Sequence, residues 1–311
     1  MSKNRRLGLA GAIVGLLVAA YVLIAFLIAR GVTQAEREAL EGAPSDLGLA
    51  FEAVSFPSRQ GDIMLDGWYI PAACDGPAVV FIHGLGSTRT GDHALEIAAA
   101  LNRAGLGTLL FDLRAHGRSQ GSRVSGGYFE RSDVLGAFDF LAGRGKRPGE
   151  VGLLGHSMGA AIALMTAADE PGFAAVMADS PYANALDLVA QETARKTPFP
   201  EWLVPIFVPA AALIASEAYG IELDELRPEE SASRLRYPIL VIHGLADERI
   251  DVEHGRRVHA RAPAGSEIWL VPGAGHVDAY DAEPEEYTRR LTAYYLEMLG
   301  QDEPCPSEAA P

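Results

Sequence analysis

Cysteine is nearly missing from this chain: 311 residues hold two, Cys74 and Cys305. Residues so far apart make no disulfide framework and no thiolate metal set, and two unpaired thiols or a single bridge in an oxidising compartment both fit. Histidine offers no metal site either, because no two of the eight stand at ligand spacing with a carboxylate. Clustered basic residues are lacking as well. Lys and Arg number 26 against 41 Asp and Glu, for a net charge of −15, which excludes a nucleic-acid partner. Gly84-Leu85-Gly86 resembles the start of a dinucleotide loop but has no third glycine and no downstream acid at the required spacing, so no cofactor is expected. No internal repeat is visible.

Charge is missing altogether from residues 7–29. Twenty-three residues make a helix of about 34 Å, enough to cross a bilayer core. The apolar run is too long for a cleaved signal, and Leu27-Ile28-Ala29-Arg30-Gly31 is a poor cleavage site. Residues 1–30 are therefore read as an uncleaved single-pass membrane anchor. Lys3, Arg5 and Arg6 precede the span, whereas Glu36, Glu38 and Glu41 accompany Arg30 and Arg37 after it. That bias keeps the N-terminus cytoplasmic and the main domain extracytoplasmic.

What is present after a polar tether at 31–48 is an alternation of strand and helix patterns over 49–300. Leu49–Phe56 and Ile63–Ile70 alternate around Ser58-Arg59-Gln60-Gly61-Asp62, as an antiparallel hairpin does. Residues 77–82 form an unbroken apolar run, expected of a strand covered on both faces. Helices at 92–104, 131–143, 158–168, 253–262 and 284–299 alternate with strands at 106–112, 150–154, 173–178, 238–243 and 267–271. This series predicts an α/β fold, a mostly parallel eight-stranded sheet with helices on both faces. An insertion at about 181–237, rich in proline and apolar residues, reads as a cap over the carboxyl edge of the sheet, its apolar residues either lining a substrate pocket, packing the cap down or touching lipid. The Pro/Glu-rich tail 301–311 is expected to be disordered.

One stretch organises the rest. Gly155-His156-Ser157-Met158-Gly159 joins a strand to a helix, the arrangement that projects a serine above a sheet edge. The other loops at the same edge carry His83-Gly84-Leu85-Gly86, His243-Gly244-Leu245-Ala246-Asp247 and Gly273-Ala274-Gly275-His276. Nucleophile, acid and base then follow as Ser157, Asp247 and His276. His93, His254 and His259 fall on expected helices, and His116 precedes the serine, so His276 is the base. Glu248, Asp251, Asp278 and Asp281 are rivals for the acid, and the spacing from His243-Gly244 favours Asp247. One oxyanion donor is the backbone N–H of Met158.

Together with Asp112-Leu113-Arg114-Ala115-His116-Gly117-Arg118-Ser119, these motifs resemble those of α/β-hydrolase fold serine hydrolases. Within that superfamily the chain is similar to the serine aminopeptidase/monoacylglycerol-lipase-like group, over residues 49 to 299. The resemblance implies a hydrolytic triad, structural roles for His83, His156 and His243, and Leu85 as the second oxyanion donor. It does not fix the substrate: an ester or lipid-like small molecule is expected, with a small peptide as the alternative. An aminopeptidase would need carboxylates such as Glu201, Glu217, Glu222, Asp224 and Glu225 to meet a free ammonium.

Overall fold

The computed structural model describes residues 3–34, 37–61, 63–72, 76–188, 193 and 201–300. Cys74, Cys305 and the tail 301–311 lie outside the described residues. What is described falls into two units, Met1–Gln34 with Ala185–Glu225, and Ala35–Asn184 with Leu226–Pro311.

The larger unit is built on β3 (Ala78–Ile82), whose every residue is buried. Its alternate side chains serve two cores. Val80 and Ile82 join one with Leu109, Leu153, Val134 and Ile162; Val79 and Phe81 join the other with Ile97, Leu101, Leu154 and Tyr295. A strand buried on both faces needs apolar residues at odd and even positions alike, which is why the run is unbroken. Among the described residues the sheet has eight strands, in the order β1-β2-β4-β3-β5-β6-β7-β8. β1 (Glu52–Pro57) and β2 (Met64–Ile70) form the expected hairpin, with Glu52 opposite Tyr69. β2 is antiparallel to β4 (Gly107–Phe111), and the pairs from β4 to β8 are parallel.

Helices α3 (Glu130–Gly143), α4 (Met158–Asp169) and α7 (Val252–Arg261) supply residues to the first core. The second takes them from α2 (Ala94–Arg103) and α9 (Pro284–Met298), with the four-residue α8 (Ala279–Ala282) just before α9. α2 begins two residues later than its sequence pattern, because Asp92 and His93 sit at positive φ, +53° and +59°, where a helix cannot start. His93 stacks on Tyr280 and pairs with Asp281 at 2.9 Å. The stretch read as a tether is docked: Arg37 donates to the carbonyls of His116, Gly117 and Gly121 at 3.0, 2.8 and 2.8 Å.

β5 (Val151–His156) leads into α4, β6 (Phe173–Asp179) into the insertion, and β7 (Leu240–Gly244) and β8 (Glu267–Val271) into further loops. All four are parallel, so their carboxyl ends open on one edge. Within the insertion, α6 (Pro228–Ala232) belongs to the larger unit. The smaller unit contains α1 (Lys3–Val32), α5 (Val208–Tyr219) and a 3-10 turn at Glu201–Ile206.

Candidate active site

Ser157 occupies the turn between β5 and α4 with φ +54° and ψ −116°, a conformation that few non-glycine residues adopt. Close packing imposes it. A Cβ on Gly155 would strike the backbone of Gly159 and Ala160, and one on Gly159 would strike the Ile82 and His83 carbonyls. Only glycine on both sides lets helix, turn and β3 approach so nearly. The Ser157 N–H donates to the Asp179 carbonyl at 2.8 Å, tying the turn to the end of β6.

The His276 loop follows β8. Leu245 N–H donates to Val271 O and Ala246 N–H to Ala274 O, both at 2.9 Å, stitching the β7 and β8 loops together. Gly244 permits this, since a Cβ there would meet the carbonyls of Ala274 and Gly275. Val277, at φ +62°, donates its N–H to Ser180 Oγ at 3.2 Å, and Ser180 Oγ donates to Asp179 Oδ1 at 3.0 Å.

The three side chains singled out by their order lie in one line. His276 Nε2 is 2.8 Å from Ser157 Oγ, and His276 Nδ1 is 2.8 Å from Asp247 Oδ2. The Asp247 carboxylate is fully buried, and its Oδ1 accepts the N–H groups of Arg249 and Ile250, each at 2.9 Å. His243 Nε2 stands 3.3 Å from Oδ2 and donates to Ile250 O at 2.8 Å. Burial pushes the Asp247 pKa upward, but hydrogen bonds from His243 and His276 outweigh it and hold the carboxyl well below the usual carboxylate range. An ionised acceptor at Oδ2 keeps the His276 Nδ1 proton in place and leaves Nε2 free to accept from Ser157. Glu248, Asp251, Asp278 and Asp281 take no part in this line.

The loop after β3 runs beside the serine: a Cβ on Gly84 would lie 3.3 Å from Ser157 Cβ. Two buried histidines shape it. His83 Nδ1 donates to Gly84 O at 2.8 Å while its Nε2 accepts the Leu113 N–H at 3.0 Å. His116 Nδ1 donates to Arg114 O at 2.8 Å, and its Nε2 accepts the Gly86 N–H at 3.2 Å. Leu85 is thus held between two pinned glycines. Met158 opens α4, so its N–H has no acceptor within the helix. Behind the loop, Asp112 accepts the N–H groups of Arg89 and Arg118 at 3.0 and 2.8 Å. The stretch Asp112–Ser119, expected from its sequence to buttress the site through loop hydrogen bonds, does so through Asp112 and His116; Ser180, which carries no motif, was not legible in the sequence.

These imidazoles also set a pH dependence. Burial pushes His83 down to about 3 and lowers His116 and His156 as well. An unfolded histidine titrates near 6.5, so between the two values the unfolded chain binds the extra proton and stability rises with pH. The stabilisation is complete above about pH 6.5 and drains away on acidification, His83 alone losing about 2 kcal/mol between pH 7 and pH 5. Asp179 and Asp133 oppose it: burial pushes both carboxyls up, Asp133 to about 7, so the folded chain takes up protons there as the pH falls. The histidine contribution is therefore read at the imidazole itself, and the His83 ring NMR signal is expected to keep its neutral position from pH 7 to pH 5. A titration of that signal centred near pH 6.5 would rule out a neutral, buried His83.

Sheet order, a serine at positive φ between β5 and α4, and the Ser–His–Asp line define an α/β hydrolase, and the comparisons agree. A family described as "alpha/beta hydrolase fold" matches residues 77–205. The uncharacterized protein Rv2307c of Mycobacterium tuberculosis is 30% identical over 224 residues, 70% of each chain, and the present chain belongs to the α/β-hydrolase family. The lysophosphatidylserine lipase ABHD12 of Macaca fascicularis is 27% identical over 267 residues, 81% of this chain and 63% of that one. The Pyrococcus furiosus esterase Pf2001 superposes with a TM-score of 0.71 at 24% identity, over 86% of this chain and 100% of the other.

Proposed function

We propose that this protein is a membrane-anchored serine hydrolase that cleaves carboxylic esters through an acyl-enzyme on Ser157. His276 Nε2 takes the Ser157 proton as Oγ attacks the ester carbonyl, and the Leu85 and Met158 N–H groups receive the developing oxyanion. His276 then gives that proton to the departing alcohol. A water molecule, deprotonated by the same nitrogen, attacks the acyl-enzyme and releases the acid. Asp247 holds the imidazole tautomer and stabilises the imidazolium.

The observation that carries this reading is the unbroken 2.8 Å and 2.8 Å line from hydroxyl through imidazole to carboxylate. The ester preference draws on the relatives that bear the names esterase and lysophosphatidylserine lipase. The membrane reading draws on Leu7–Val32, 26 residues of mean hydropathy 2.9 with only 17% of the most apolar window buried. The reading of a cytoplasmic N-terminus and an extracytoplasmic catalytic unit draws on Lys3, Arg5 and Arg6 before the span.

The test uses the full chain in detergent, with p-nitrophenyl esters of rising acyl length beside aminoacyl anilides. Esters are expected to turn over at least tenfold faster in kcat/KM, a difference of about 1.4 kcal/mol in transition-state binding. Preference for the anilides would overturn the ester assignment in favour of an aminopeptidase while leaving the nucleophile untouched.

A further inference from the structure

The smaller unit pairs the apolar N-terminal helix with a second apolar segment far away in the chain. Tyr21 of α1 stacks on Phe207 with centroids 5.2 Å apart, and its hydroxyl donates to the Ile206 carbonyl at 2.9 Å. From there α5 runs along Ala25, Ile28 and Ala29, burying Phe207 and Ala211 against them. The two helices are therefore parallel. Small residues on both, Ala25 and Ala29 against Ala211, allow the backbones close approach.

Polarity changes along both helices in the same direction. Between Glu201 and Glu217 the chain carries no charge, and Glu222, Asp224 and Glu225 add to Glu217 at the far end. α1 stays uncharged from Leu7 to Ala29 and then meets Arg30. Tyr21 lies nine residues before Arg30, about 14 Å along the axis, close to the depth of one leaflet of a ~30 Å core. The face that α5 and its preceding turn turn away from α1 is apolar too: Trp202 is 75% exposed, Leu213 62% and Ile206 54%.

In water those three side chains would be a liability. In hydrocarbon the backbone needs internal partners, and this segment supplies them. Phe207 N–H reaches Val204 O and Ala211 N–H reaches Phe207 O, both at 2.9 Å. Pro205 and Pro209 carry no N–H at all, and Tyr21 serves the Ile206 carbonyl.

We propose that Trp202–Ala215 is a second membrane-embedded segment, dipping beside α1 into the leaflet on the catalytic unit's side, with Trp202, Ile206 and Leu213 against acyl chains. It rests on the proposal that α1 spans the bilayer, and it adds a re-entrant element whose partner is the lipid itself. The charged ends, Arg30 on α1 and Glu217 on α5, mark the level where both leave the hydrocarbon.

The experiment takes the full chain with Cys74→Ser and Cys305→Ser, and adds one cysteine at a time: Val22→Cys in α1, Ile206→Cys, Leu213→Cys, and Glu217→Cys at the polar end. Each is labelled with bimane and reconstituted into phosphatidylcholine/phosphatidylglycerol vesicles containing lipids spin-labelled along the acyl chain. Labels at 206 and 213 are expected to be quenched within about twofold of the label at 22, and the label at 217 several-fold less. Quenching at 22 with no quenching at 206 and 213 overturns the second segment and leaves the anchor standing, whether water or a second protein copy covers that face. No quenching at any position overturns both. An even response at 206, 213 and 217 also overturns the proposal, since nothing would then separate the buried end from the polar one.

Discussion

Replacing Ser157 with alanine is expected to lower kcat/KM on a short p-nitrophenyl ester by about 10³-fold or more, a loss of at least ~4 kcal/mol of transition-state stabilisation. The change removes one atom, and its consequences can be separated. The backbone at φ +54° is set by the glycines on either side and by the bond from Ser157 N–H to Asp179 O, none of which involves the hydroxyl. Alanine tolerates that φ no worse than serine, so Tm is expected to stay within about 3 °C of the wild-type value. A large fall in Tm would point to a structural rather than a chemical role. A fluorophosphonate probe is expected to label the native chain and leave Ser157→Ala unlabelled; labelling that persists in the variant would move the nucleophile elsewhere.

Asp247→Asn has the second largest expected effect, and the cause lies in a counting of donors. Asp247 Oδ1 accepts from two backbone N–H groups, those of Arg249 and Ile250. The NH₂ of an asparagine cannot accept there, so its carbonyl oxygen takes that side and its NH₂ faces His276 Nδ1 and His243 Nε2. His243 Nε2 already donates to Ile250 O, which leaves donor against donor. His276 escapes only by moving its proton to Nε2, where it points at Ser157 and can no longer accept from it. A fall in kcat of about 10³- to 10⁴-fold is expected, with a stability loss of about 1–3 kcal/mol for the mismatched buried groups. The measurement is kcat at saturating ester together with a denaturant melt of the same preparation. Retention of more than a tenth of the wild-type kcat would show that Asp247 does not hold the tautomer.

Much of this molecule was legible residue by residue. Runs such as Val79-Val80-Phe81-Ile82 announce a strand buried on both faces, because no other element needs apolar side chains at consecutive positions over so short a length. Glycines at 155 and 159 around Ser157 announce a close crossing, since a side chain at either place meets backbone. Other features left no mark. His93 reads as the opening of a helix, yet a positive φ holds it outside α2 and against Tyr280. His116 stands in a stretch that reads as a buttress of the site, but that its ring accepts from Gly86 N–H, 30 residues earlier, is visible only in the folded chain.

The chain's own order of apolar runs, glycines and turns determined the alternating sheet and helices and the membrane-length helix at its start, because periodicity and length are local properties. Which loops meet was decided in three dimensions. Ser157 and His276 are 119 residues apart, and their 2.8 Å contact exists because parallel strands bring β5, β7 and β8 to one edge and the Gly244–Ala274 crossing holds two loops together. The pairing of α1 with α5 is of the same kind: two apolar helices with six of the eight strands between them in sequence are brought together only by the tertiary structure.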